Sequence, residues 1–133
     1  WARRCVYATV AEAERVHATG HLNLVKDLLV KDTDTNLEKS FQREKTVSEN
    51  AYPEFIKDAE EDGEKAAALI FSHARDAESF HAKLYERAIY HVIKDEVKAY
   101  HVCQVCGYVT DKKIPKKCPV CGAPPEKFKT VEA

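Results

Sequence analysis

Two phrases of one form, AERVHA at 13–18 and AESFHA at 77–82, lie 64 positions apart in this chain of 133 residues. Each sets a glutamate and a histidine at i, i+3 within an apolar helical stripe. That spacing separates the two side chains by about 60° around a helix, so both reach one point. In the later phrase the stripe is Ala67, Ile70, Phe71, Ala74, Ala77, His81, Leu84 and Ala88, with Glu78 inside it. In the earlier one, Glu14 and His17 fall between Val10 and Leu24. A third stripe, Leu37, Phe41, Glu44, Ser48, Ala51 and Phe55, carries Glu44 where an apolar residue belongs. An ionised carboxylate buried without a partner costs several kcal/mol, and three at one level repel one another. Such a set is protonated or paired with Arg and Lys, or it is neutralised by bound cations. The histidines favour cations, because neutral imidazoles add ligand nitrogens. Glu-x-x-His on two helices with a further inward Glu is the dinuclear carboxylate pattern of bundle cores. Carboxylate with imidazole suits iron or manganese, and zinc also binds.

The helices implied are long. Apolar spacing predicts a first helix over 1–30, a polar connector at 31–36, and a second helix opened by a capping box at Thr35–Glu38. Pro53 predicts a kink near Tyr52, and Gly63 a stop after Asp62. A third helix is expected over 64–94. Helices of about 30 residues are about 45 Å long, and short connectors make them an up-and-down bundle. Three are expected in this chain, the fourth coming from an upstream segment or a second subunit. The chain starts at Trp1 and has no methionine, so a processed or truncated product is expected. Composition shifts near 95, where glycine, proline and cysteine take over. The domains are therefore set at 1–95 for the helices and 99–133 for the remainder.

That remainder holds Cys103-x-x-Cys106-Gly107 and Cys118-x-x-Cys121-Gly122, with eleven residues between the pairs. Each C-x-x-C makes a knuckle with two thiolates on one metal, and the following glycine permits a left-handed turn. Two knuckles make a tetrahedral four-sulfur site for iron or zinc. Zinc would staple a small fold, whereas iron would add a one-electron carrier. Tyr108 and Phe128 are placed to cover it. Cys5, standing alone, reads as a small buried apolar residue. His21 and His73 read as surface residues, and Glu12 and Asp76 as outward-facing. Tyr52, beside the expected kink, is a candidate hydrogen-bond donor to the metal site. The net charge of −1 with mixed signs gives no stripe for nucleic acid. No apolar run reaches the ~18 residues that span a membrane. With no signal peptide, the expected compartment is the cytoplasm.

Taken in order along the chain, AERVHA, Ala51-Tyr52-Pro53-Glu54-Phe55, AESFHA and CQVCGY…CPVCGAPPEKF resemble rubrerythrin. The resemblance implies an all-α ferritin-like four-helix bundle with a non-haem di-iron site, followed by a small rubredoxin-like β/loop domain. It implies Glu14, His17, Glu44, Glu78 and His81 as di-iron ligands and Cys103, Cys106, Cys118 and Cys121 as ligands of a single iron. It further implies reduction of hydrogen peroxide, an electron-donor protein, and a homodimer, with helix exchange as one form of it. Two departures stand out. The family's first ligand-bearing helix would precede Trp1, and Val47 occupies the place of a usual glutamate, with Glu49 an imperfect substitute. Two other readings stand beside peroxide reduction: a ferritin-like iron oxidase, and a non-catalytic electron-transfer or metal-binding module.

Overall fold

The computed structural model describes residues 2–90 and 99–132, and the side chains from Val6 onward. The chain divides between Asn36 and Leu37 into two compact units. Helix α1, Ala2–Leu29, makes up most of the first. The second holds most of α2 (Thr33–Thr46), a π-helical turn (Val47–Ala51), α3 (Tyr52–Glu61), α4 (Lys65–Ile89) and a three-stranded sheet. The expected domain boundary at 95–100 and the end of the third helix fall largely on 91–98, outside the described residues.

The start of α2 differs from the expected capping box. The carboxylate of Asp32 accepts hydrogen bonds from the Thr35 backbone N–H and from its hydroxyl, at 2.9 and 2.8 Å. Asp32 is therefore the cap, and the helix opens at Thr33, because a carboxylate accepts both donors at once. Downstream, the expected disturbance at Pro53 takes the form of a π-turn over Val47–Ala51, closed by Tyr52 N–H on the Val47 carbonyl. Proline has no N–H and its ring crowds the carbonyl four residues back. One wider turn before it accommodates both, and Pro53 sits in the first turn of α3, directly after Tyr52. Gly63 stops α3 as expected. At φ 75° it donates to the Glu60 carbonyl, and Glu64 N–H reaches back to Ala59, the paired bonds of a left-handed helix terminus.

Helix α4 buries Ala68, Ala77 and Ala82, small side chains that let the α2–α3 rod approach closely. Phe71 meets Tyr52 and Phe55 at ring separations of 6.4 and 5.8 Å. Ile70, expected in the stripe, is instead exposed, since its neighbour Phe71 takes the inward position. Strand β1 (Ala99–Cys103) is central, flanked antiparallel by β2 (Val109–Thr110) and β3 (Phe128–Glu132). The small core of this part is Cys103, Cys118 and Ala123, with Tyr108 and Phe128 packed against it.

Candidate metal centres

The two C-x-x-C segments fold as matching loops. Gly107 N–H bonds the Cys103 carbonyl and Gly122 N–H that of Cys118, each at 2.9 Å, with both glycines at φ near 75°. Cys103 and Cys118 accordingly point inward from equivalent places. The sulfurs of Cys103 and Cys121 are 3.7 Å apart, and those of Cys106 and Cys118 3.6 Å. A tetrahedral metal with sulfurs at about 2.3 Å requires sulfur pairs about 3.8 Å apart, so the cage already has the size of its ion. Burial pushes the Cys106 thiol up, and the Cys121 thiol with it. At Cys103 burial is outweighed by the Val105 and Cys106 backbone N–H groups, and its thiol is held low. Four thiolates this close need a cation between them.

The second centre lies between α2 and α4. Glu44, Glu78 and His81 bring one ligand atom each to within 4.8 Å of one another, with their side chains about three-quarters buried. His81 Nδ1 is 2.8 Å from Glu78 Oε2 and 3.8 Å from Glu44 Oε2. Its other nitrogen, Nε2, donates to the Gly107 carbonyl at 2.9 Å. A carbonyl only accepts, so Nε2 carries a proton, and Nδ1 is the nitrogen turned to the carboxylates. A ligating histidine is ordinarily fixed in this way. Desolvation, then the hydrogen bond and charge of Glu78, push the Glu44 carboxyl up to about 7. At Glu78 burial is outweighed by the bonds from Glu44 and His81, and its carboxyl is held low. One carboxyl thus keeps a proton while its neighbour is ionised. Burial and the two carboxylates push the Tyr52 hydroxyl up, keeping it a donor beside them.

Glu14 and His17 lie on α1, where they contact each other at 3.3 Å with side chains about two-thirds exposed. They belong to neither group of gathered ligands. His21 and Glu12 are exposed and His73 is half-buried. Asp76 is ion-paired with Arg75. Val47 is half-buried in the π-turn, while Glu49 is exposed. Sequence reasoning missed the Gly107 carbonyl as a partner of His81, and also the Arg87–Asp111 ion pair at 2.6 Å. No spacing rule pairs groups that meet only through the fold. The glycine of the knuckle was legible for its backbone angle, not for its carbonyl.

Family models match this chain in two places: "Rubrerythrin" over 4–89 and "Rubrerythrin, rubredoxin-like domain" over 101–129. Nigerythrin of Nitratidesulfovibrio vulgaris is 34% identical over 95 residues, covering 71% of this chain and 47% of its own. Rubrerythrin of Porphyromonas gingivalis is 30% identical over 144 residues, covering 96% and 72%. Among solved structures, the mixed-valence state of nigerythrin superposes with a TM-score of 0.71 at 32% identity, covering 76% of this chain and 50% of that one. The chain thus spans about half the length of the nigerythrin it matches.

Proposed function

Because the chain belongs to the rubrerythrin family, we propose that it reduces hydrogen peroxide to water with electrons relayed through its four-cysteine centre. The fold is that of ferritin-like helices followed by a rubredoxin-like domain, and its two donor sets fit a di-iron site and an Fe(Cys)4 site. It is a di-iron protein of the oxidoreductase type. We assign Glu44, Glu78 and His81, together with Glu14 and His17, to the di-iron set. Cys103, Cys106, Cys118 and Cys121 are assigned to the single iron.

Reduction of one peroxide to two waters consumes two electrons and two protons. When bound, the iron pair supplies the two electrons, and the Fe(Cys)4 centre passes in single electrons from outside. Of the chain's own side chains, Glu44 would give up its proton to bind the metal, and ionised Glu78 offers it lone pairs. The Tyr52 hydroxyl, held in its protonated form, is the proton donor beside them. His81 Nδ1 is directed at this point by the Gly107 carbonyl. The observation that most supports the reading is this juxtaposition: a Glu-Glu-His cluster whose histidine touches the cysteine knuckle.

The donor is proposed to be a separate electron-transfer protein in the cytoplasm. No helix among the described residues is long and apolar enough to cross a membrane. A homodimer is also proposed, because α1 leaves Val10, Leu22, Leu24 and Leu28 exposed, as a helix covered by a second copy would. Helix exchange between copies is one form of that dimer. Light scattering at twice the chain mass supports the dimer, and the single-chain mass refutes it.

The peroxidase test is direct. The iron-loaded, reduced protein is mixed with peroxide and its visible spectrum is followed. Return of the ferric thiolate bands within the mixing experiment supports the reading, and a reduced spectrum unchanged by peroxide sinks it. Val47, apolar where the family pattern has a ligand, favours a second reading, an electron-transfer module without peroxidase activity. That reading predicts full Fe(Cys)4 redox cycling but no peroxide consumption.

A further inference from the structure

On α4, Phe80, Leu84 and Arg87 recur at spacings of four and three, so they share one face. That face meets the hairpin after the first knuckle. Phe80 stacks edge-on against Tyr108 at 4.8 Å, and Tyr108 in turn stands edge-on to Phe128 at 6.4 Å. Phe128 and Tyr108 pack on the cysteine core, so ring contacts run unbroken from α4 to the four sulfurs. One helical turn beyond Leu84, Arg87 donates to both carboxylate oxygens of Asp111, at 3.4 and 2.6 Å. The Asp111 side chain is 8% exposed. A bidentate pair on a covered carboxylate fixes orientation in a way that a surface pair does not. Directly adjoining the Phe80–Tyr108 contact in sequence, at the residue after Phe80 and the residue before Tyr108, is the His81–Gly107 hydrogen bond at 2.9 Å.

We propose that Arg87 and Asp111, with Phe80 and Tyr108, form a clamp that seats the four-cysteine domain on α4 of its own chain, and that this seating is what holds the Gly107 carbonyl on His81. Arg87 and Asp111 touch neither metal set and act as positioning residues. The clamp fixes one nitrogen of His81, and so the ring's aim, from the domain that carries the other centre. The His81 bond is too weak to hold a domain alone, since a single neutral hydrogen bond contributes about 1 kcal/mol net. The aromatic edge and the bidentate pair supply the rest. The relay it serves rests on the reading given under Proposed function, but the seating itself does not require peroxide chemistry.

The test uses the full chain loaded with zinc, which is diamagnetic, and reads the His81 ring by long-range proton–nitrogen spectroscopy. Arg87→Asp and Asp111→Arg are each expected to abolish the signature of a hydrogen-bonded Nε2–H on His81. They are also expected to raise amide exchange at Val109 and Thr110 about tenfold, equivalent to about 1.4 kcal/mol. The double exchange, Arg87→Asp with Asp111→Arg, restores both. Arg87→Gln, a milder change, gives a smaller loss in the same direction and guards against misfolding of the charge reversals. Unchanged His81 signals in both Arg87→Gln and Arg87→Asp overturn the clamp. Equimolar mixing of the two single charge reversals distinguishes the chain of origin: no recovery supports seating within one chain, and recovery overturns it in favour of seating between chains. None of these readouts uses peroxide, so failure of the peroxidase reading leaves them intact.

Discussion

Glu44 and Glu78 differ in what surrounds each oxygen, and that difference has a pH signature. Glu44 binds its proton more tightly in the folded chain than in the unfolded one, with its carboxyl pushed from 4.5 up to about 7. Its contribution to stability is therefore fully present below about 4.5 and lost as pH rises through about 7. Glu78 is shifted the other way, so its contribution is present above 4.5 and lost as pH falls below it. The metal-free protein is expected to lose on the order of 1 kcal/mol between pH 5 and 8 on account of Glu44. Thermal melts across that range check it. Glu44→Gln should flatten the neutral limb and leave the acid limb in place. Metal must displace the Glu44 proton, so divalent-metal affinity should climb with pH and level off above about 7. A titration whose affinity is flat from pH 5 to 7 would contradict the assignment of Glu44 as a ligand. At this scale the sequence was highly informative about residue types and poor about their partners. Glu44, Glu78 and His81 announced themselves as polar groups in apolar stripes. Arg87 and Asp111 are unremarkable in sequence and become a pair only when α4 meets the hairpin.

The elements follow local chemistry closely where one residue decides the outcome. Gly63 ends α3 at φ +75°, and a Cβ added there would meet nothing within 4 Å. Gly63→Ala should therefore cost only the left-handed backbone penalty, about 1 kcal/mol. A chemical-denaturation midpoint shift with unchanged slope is the expected reading, and no shift would mean that this terminus frays in the native state. Where two local signals compete, legibility drops. Asp32 and Thr35 both qualify as caps, and the carboxylate wins because it accepts two bonds from Thr35. Pro53 announced a disturbance, but not that a π-turn four positions earlier would absorb it. That turn matters to the site. It adds a residue to the helical turn between Glu44 and Tyr52. Ser48, expected inward, is buried, its hydroxyl donating to the Lys45 carbonyl, and Val47 is half-buried, but Phe55, expected in the same stripe beyond the turn, is exposed. A stripe read at constant helical period cannot anticipate that shift.

At the scale of the molecule the two kinds of core depend on different forces. The helical part closes on alanines and aromatic rings, with Ala77 only 2% exposed. The part over 99–132 buries only Cys103, Thr110, Cys118 and Ala123 among its described residues. Two strands of five residues and one of two enclose too little apolar surface to offset the chain entropy of some thirty ordered residues. The metal bound by the four sulfurs must then supply the missing stability, as it does in small cysteine-ligated folds. Stripping that metal with a strong chelator under reducing conditions should unfold 99–132 while α2, α3 and α4 keep their helicity. Replacing Cys106 by serine should act in the same direction and remove one iron per chain. The amides of Gly107 and Gly122, each bonded within its knuckle, should lose hydrogen-exchange protection together, whereas those of α4 around Ala77 should retain it. The helical site should respond as well, because the Gly107 carbonyl leaves His81 when the knuckle opens. Persistent protection of both glycine amides after complete metal removal would show that strands and rings suffice, and that the cysteine centre is a passenger on a fold that stands without it.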